Sequence, residues 1–143
     1  MHRSYAITLI SEIRTAVHKF IEKELEKRGV EGLVVSHGSI LTVLYKSEGQ
    51  LPMKDISRKI RRSKSTTTQL VNKLIKSGYV KKVTSPKDAR VRNIVLTDKG
   101  RGIKDVYMEI SKKLNEVFYQ GLDDEEIEIF MEALVKIKDN FEK

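Results

Sequence analysis

No cysteine occurs in the chain, which excludes disulfides, thiolate metal sites and cysteine-based redox sensing. Tryptophan is absent and aromatics make up 6% of residues, against 34% charged and 39% hydrophobic. That balance fits a helical globular protein and is too apolar for a disordered chain. No apolar run reaches the length of a membrane span, and MHRSYAITLISEIRTAVHKF is interrupted by charge too early for a signal peptide. The expected location is the cytoplasm, with no membrane partner. Catalytic signatures are missing too: no Ser-His-Asp set, no phosphate-cradling glycine loop and no His-Glu-x-x-His motif. The carboxylates at 123–126 are consecutive, as at a helix start favoured by the macrodipole. Neither enzymatic activity nor a cofactor is expected. No two of the three histidines share metal-ligand spacing, so no metal site is expected either.

What is present is positive charge, unevenly placed. The 143 residues, one domain's length, carry a formal charge of +8. From Lys54 to Arg92 thirteen Lys or Arg stand against two acids, Asp55 and Asp88, a local balance of +11. The other 104 residues hold fifteen bases and eighteen acids, or −3. A solubilising surface mixes its signs; a block carrying more than the whole net charge is the footprint of a polyanionic partner.

Hydrophobic spacing gives the elements. Leu9, Ile13, Ala16, Val17, Phe20, Ile21 and Leu25 recur at helical spacing, with Ser4 as the expected cap and Gly29 as the stop. SHGSILTVLYKSEG is a second helix, with Ile40, Leu41, Leu44 and Tyr45 inward and Gly49 as its end. QLP is a short extended piece and MKDISRKI a short helix. Ser63 caps the next helix, whose buried stripe is Leu70, Val71, Leu74 and Ile75, and Gly78 closes it. YVKKVT and RNIVLT form a hairpin joined by SPKDARV. Thr97 starts a helix running to Tyr119, with a stripe at Ile103, Tyr107, Ile110, Leu114, Val117 and Phe118. The last helix opens with Asp123 and Glu126 as a capping box, and Leu122 and Ile127 as a hydrophobic staple.

The predicted fold is mainly α: a winged helix-turn-helix with a two-stranded β wing and long N- and C-terminal helices. One face of the second short helix offers Lys64, Ser65, Thr66, Thr68, Gln69, Asn72 and Lys73. These are hydrogen-bonding side chains suited to base edges in a major groove.

The segments GLVVSHGSILTVLY, LPMKDISRKIRRSKSTTTQLVNKLIKSGYVKK and SPKDARVRNIVLTDKG resemble the MarR (multiple-antibiotic-resistance regulator) family. The last is the most specific, an Asp-x-Arg at a wing tip followed by Leu-Thr-x-x-Gly. The resemblance implies a homodimeric transcription factor, a repressor in many members, that binds a pseudo-palindromic operator in double-stranded DNA and is released by a small-molecule effector. It divides the single domain 1–143 into a DNA-binding lobe at 33–97 and dimerisation helices at 1–30 and 98–143. It makes Arg90 the wing residue that enters the minor groove, with Asp88 holding the wing by pairing with a neighbouring arginine. Lys87 and Arg92 are expected on phosphate, which positions without specifying.

Arg61-Arg62 stands where the family usually has a small residue and then an apolar one, so Arg62 is expected to face phosphate. Ser63, Lys64, Ser65, Thr66, Thr68, Gln69 and Lys73 complete the expected DNA-binding set. Gln69 replaces an Arg common in the family, which favours adenine over guanine as the base read. The resemblance places an effector pocket beside the DNA-binding lobe, with His37 as its candidate residue. Tyr5, Ile10, Tyr107, Leu114, Phe118, Phe130, Leu134 and Phe141 are candidates for the dimer interface. Two alternatives stay open: an architectural DNA-binding protein of the same fold without a ligand, and a winged helix that binds protein or RNA.

Overall fold

A computed structural model describes residues 1–30, 33 and 37–142. The chain runs α1 (Tyr5–Lys27), α2 (Gly38–Tyr45), β1 (Gln50–Pro52), α3 (Met53–Ile60), α4 (Lys64–Lys76), β2 (Val80–Thr84) and β3 (Arg92–Leu96). It continues through α5 (Asp98–Gly102), α6 (Lys104–Phe118) and α7 (Asp124–Asn140). Two compact units divide it, Met1–Ile110 and Ser111–Lys143. Among the described residues no helix is long and apolar enough to cross a membrane.

The core lies inside the winged helix itself. Ile40, Leu41 and Leu44 of α2 meet Ile56 of α3, Val71 and Leu74 of α4, and Tyr79, Val80, Ile94 and Leu96 of the hairpin. Each such burial contributes roughly 1.5–3 kcal/mol relative to exposure. The sheet has three antiparallel strands in the order β1-β3-β2, with Leu51 and Lys82 on either side of Ile94. The extended QLP is therefore a paired strand, so the hairpin is backed by a third strand. Central β3 turns Ile94 and Leu96 into the core, the period-two pattern its sequence carries.

Helix ends explain why the elements stop where they do. Gly29 and Gly78 each take a left-handed φ, at +67° and +84°. Behind each, the next residue's N–H reaches five residues back, Val30 to Leu25 and Tyr79 to Leu74. This is the Schellman closure, whose left-handed position favours glycine. α3 closes in the same way, with Arg62 N–H on the Ser57 carbonyl and Arg61 N–H on that of Arg58. Here the left-handed residue is Arg61, at φ 56° and ψ 46°.

Two expectations are corrected. Ser4 does not cap α1: its backbone is helical, and its hydroxyl lies 2.6 Å from the His2 ring. Of the α1 stripe only Leu25 is buried within the chain, and Ile13 is 43% exposed. The helix expected from 98 to 119 is broken at Ile103 into α5 and α6. Gly100 and Gly102 weaken helix propensity there, and Gly100 is pressed against the Tyr79 carbonyl. Ser36, where the second helix was expected to begin, lies outside the described residues.

In the second unit Phe118 meets Phe130 with ring centroids 6.3 Å apart. Asp123 and Glu126 form the expected capping box: Asp123 Oδ1 accepts the Glu126 N–H at 2.9 Å, and Glu126 Oε2 accepts the Asp123 N–H at 3.0 Å. α7 carries no buried residue.

Candidate nucleic-acid interface

α4 is set by its first turn. Ser63 has an extended backbone, and its Oγ accepts the Thr66 N–H at 3.1 Å. Thr67 is fully buried and donates its hydroxyl to the Ser63 carbonyl at 2.9 Å. The STTT run thus has two jobs: Thr67 roots the helix in the core, while its neighbours face out. Lys64, Ser65, Thr66, Gln69, Asn72 and Lys73 are exposed, and Thr68 is half-buried. Residues 65, 69 and 73 recur every four positions and share one side of α4. Ser63, although exposed, has its hydroxyl engaged in the cap. Arg62 is exposed in the turn that leads into the helix.

The wing is ordered by its own hydrogen bonds. Ser85 N–H donates to the Val91 carbonyl at 2.9 Å, Val91 N–H to the Asp88 carbonyl at 3.0 Å, and Lys87 N–H to Ser85 Oγ at 3.3 Å. Asp88 Oδ1 accepts the Arg90 N–H at 3.0 Å and its Nε at 3.2 Å, while Arg90 Nη2 reaches Oδ2 at 3.4 Å. The Arg90 backbone bond first, and its side chain second, hold the Asp88 carboxyl below the usual carboxylate range. Arg92 is held separately, its Nη1 donating to Thr84 Oγ1 at 2.5 Å across the hairpin.

Wing and helix enclose an open groove of about 370 Å³, lined by Pro52, Met53, Lys54, Lys64, Thr68, Arg90, Val91 and Arg92. The fold thus brings together four of the sequence-predicted residues (Lys64, Thr68, Arg90 and Arg92) and adds Lys54, from the start of α3. The signal for Lys54 was available, since the basic block begins there. Lys87 stays exposed at the wing tip and outside the groove lining. Four cations around a groove, with the Thr68 hydroxyl among them, suit phosphate contact.

His37 lies elsewhere. It is 3% exposed at the start of α2 and borders a void of about 20 Å³ with Ile21, Leu25, Leu33, Leu41 and Tyr107. That volume admits about one water molecule. Burial first, and the charge of Lys73 second, push the His37 pKa below its ordinary 6.5. Tyr107, a dimer candidate, packs against the winged-helix core. Tyr5 and Ile10 are exposed on α1 and Phe118 and Phe141 in the second unit, while Leu114, Phe130 and Leu134 are half-buried. Among the described residues no group of three or more metal-ligating side chains gathers.

A family model described as MarR family matches residues 31–91. The uncharacterized HTH-type transcriptional regulator YwhA of Bacillus subtilis (strain 168) is 29% identical over 100 residues, covering 70% of this chain and 71% of its own length. The structure of reduced AbfR bound to DNA superposes with a TM-score of 0.74 at 23% identity, covering 96% of this chain and 92% of that one. The PcaV transcriptional regulator from Streptomyces coelicolor, in complex with its natural ligand, gives a TM-score of 0.77 at 21% identity, covering 92% and 89%.

Proposed function

We propose, from the match of residues 31–91 to a MarR family model and the likeness to HTH-type transcriptional regulators, that this chain is a MarR-family transcriptional regulator, acting as a homodimeric repressor on a pseudo-palindromic operator and released by a small-molecule effector. The observation that carries the DNA reading is the groove between α4 and the wing. There Lys54, Lys64, Arg90 and Arg92 surround the half-buried Thr68. Gln69 stands exposed on the outer face of α4. The cations hold phosphate, Arg90 enters the adjacent minor groove, and Gln69 pairs with a base edge. AbfR, of the same fold, is a DNA-bound relative in architecture.

The dimer is supported by apolar surface. Ile7 is 73% exposed on α1, and Ile129 and Val135 are 60% and 53% exposed on α7. Side chains of this kind on long helices are covered in a two-fold assembly. The effector is supported by analogy with ligand-bound PcaV and by the void beside His37, which must widen to admit anything larger than water.

Footprinting on the genomic DNA around the protein's own gene tests this reading. A short protected palindrome is the expected result. Smeared protection would replace it with a sequence-tolerant architectural role, and no protection would remove DNA as the partner.

A further inference from the structure

A recognition helix is only as precise as its two ends. The N-terminal end of α4 is fixed by the Ser63 cap and Thr67. The last-turn carbonyls of α4 are met by the residues just past its end, Lys73 by Ser77 N–H, Ile75 by Gly78 N–H and Leu74 by Tyr79 N–H, each at 3.0 Å. After α4 ends at Lys76, three successive carbonyls are taken up from one distant segment, the start of α5. Lys99 Nζ donates to the Ser77 carbonyl at 2.8 Å, Thr97 Oγ1 to that of Gly78 at 2.5 Å, and Thr97 N–H to that of Tyr79 at 3.1 Å. The Thr97 hydroxyl also accepts the Gly100 N–H at 3.1 Å, so one side chain starts α5 and closes off α4.

The Lys99 ammonium lies 4.5 Å from the centroid of the Tyr79 ring. A cation is thereby placed at the negative end of the α4 dipole and over an aromatic face. The segment is itself anchored. Gly100 is so close to Tyr79 that a Cβ would overlap its carbonyl oxygen, and the Gly100 carbonyl accepts the Tyr45 hydroxyl of α2 at 2.8 Å. Burial first, then Tyr107 and Tyr79, push the Tyr45 pKa up to about 12, so the phenol keeps the proton it donates.

We propose that Lys99, outside the helix-turn-helix, is a positioning residue for base readout: it pins the C-terminal end of α4 and so fixes the pose of Gln69 and its neighbours in the groove. This rests on the reading of α4 as the DNA-recognition helix. Lys99 itself is exposed, so losing its ammonium leaves the core intact. It frees one end of a helix whose base contacts tolerate displacements of only about 0.5 Å.

The test uses the full chain with Lys99→Met, which keeps the stem, and Lys99→Arg, which restores a charged donor. The probes are a duplex selected by the wild type from random sequence and the same duplex with one base pair changed in each half-site. Affinities for both are measured across a salt series, beside thermal melts. Lys99→Met should melt close to the wild type and keep its salt slope, while its preference for the matched duplex falls about tenfold; Lys99→Arg should restore most of that preference. An unchanged preference in Lys99→Met overturns the proposal. So does a slope shallower by about 1 per subunit, which would make Lys99 a phosphate contact. Loss of cooperative unfolding would make it a fold residue and also overturn the proposal. A wild type that selects no sequence would refute the underlying DNA reading, a different and recognisable failure.

Discussion

Asp88 binds Arg90 twice through one carboxylate oxygen, at 3.0 Å to the backbone N–H and 3.2 Å to the guanidinium. The arginine side chain nevertheless remains 91% exposed. The wing's one acid thus shapes the tip from beneath while the cation still faces outward. A loop without that bond would lose much of the gain from groove contact to ordering entropy. Removing the acid raises each subunit's charge by one, which by charge counting alone should tighten DNA binding. We predict the opposite: Asp88→Ala weakens operator affinity by about fivefold at moderate salt, because ordering outweighs one screened surface charge. Titration of a labelled operator decides it, and tighter binding would show the pair to be a hindrance.

Gly100 and Gly102 sit two residues apart and should respond differently to alanine. At Gly100 the added methyl meets backbone, which cannot move aside; at Gly102 it meets open space. Gly100→Ala should cost about 3 kcal/mol or prevent folding. Gly102→Ala should be neutral or stabilising by up to about 1 kcal/mol. Urea unfolding of both variants checks the pair, and equal effects would contradict the close approach of Gly100 to Tyr79.

His37 is buried, with its pKa lowered from 6.5 by burial first and Lys73 second. The unfolded chain therefore binds a proton that the folded chain resists. Stability from this group is full above pH 6.5 and declines as pH falls through that value. His37→Gln removes the titration, so the stability difference between wild type and variant should change between pH 7.5 and 5.5 in the direction that disfavours the wild type at low pH. Urea midpoints at the two values measure it. Parallel pH dependences would mean that the folded protein accommodates the proton.

Leu134→Glu places a charge within the apolar surface of α7, far in sequence from the residues proposed to meet DNA. If that surface joins two copies, the variant should scatter light as a monomer at micromolar concentration and lose operator affinity by more than about tenfold. A folded variant that stays dimeric would move the interface elsewhere.

The helix-turn-helix was legible because its signals are local. Ser63 before a polar first turn and Ile94 and Leu96 two apart each act within a few residues, as does the capping box of α7, with Asp123 three before Glu126. What escaped was set by distant partners. QLP gives no sign in itself that it will pair with β3, and the break at Ile103, beside the helix-weakening Gly100 and Gly102, depends also on the close approach of Gly100 to the distant Tyr79. Thr67 was lost among exposed threonines because its burial comes from α4's orientation on the core. Lys99 looked like a surface lysine; its partner, Ser77, lies 22 residues back. The candidate site was legible as charge and residue type, while the hydrogen bonds that hold its elements were not.

The central claim, a dimer that reads sequence through α4 and the wing, is tested most directly by selection of duplexes from a random library by the purified wild-type chain. The expected result is one enriched motif with two inverted half-sites whose centres lie about 10 bp, one helical turn, apart. Affinity for it should fall with salt at a log–log slope of roughly −7, as for about 8 phosphates neutralised by the dimer. A library that emerges unenriched, or a slope near −1, would contradict the claim.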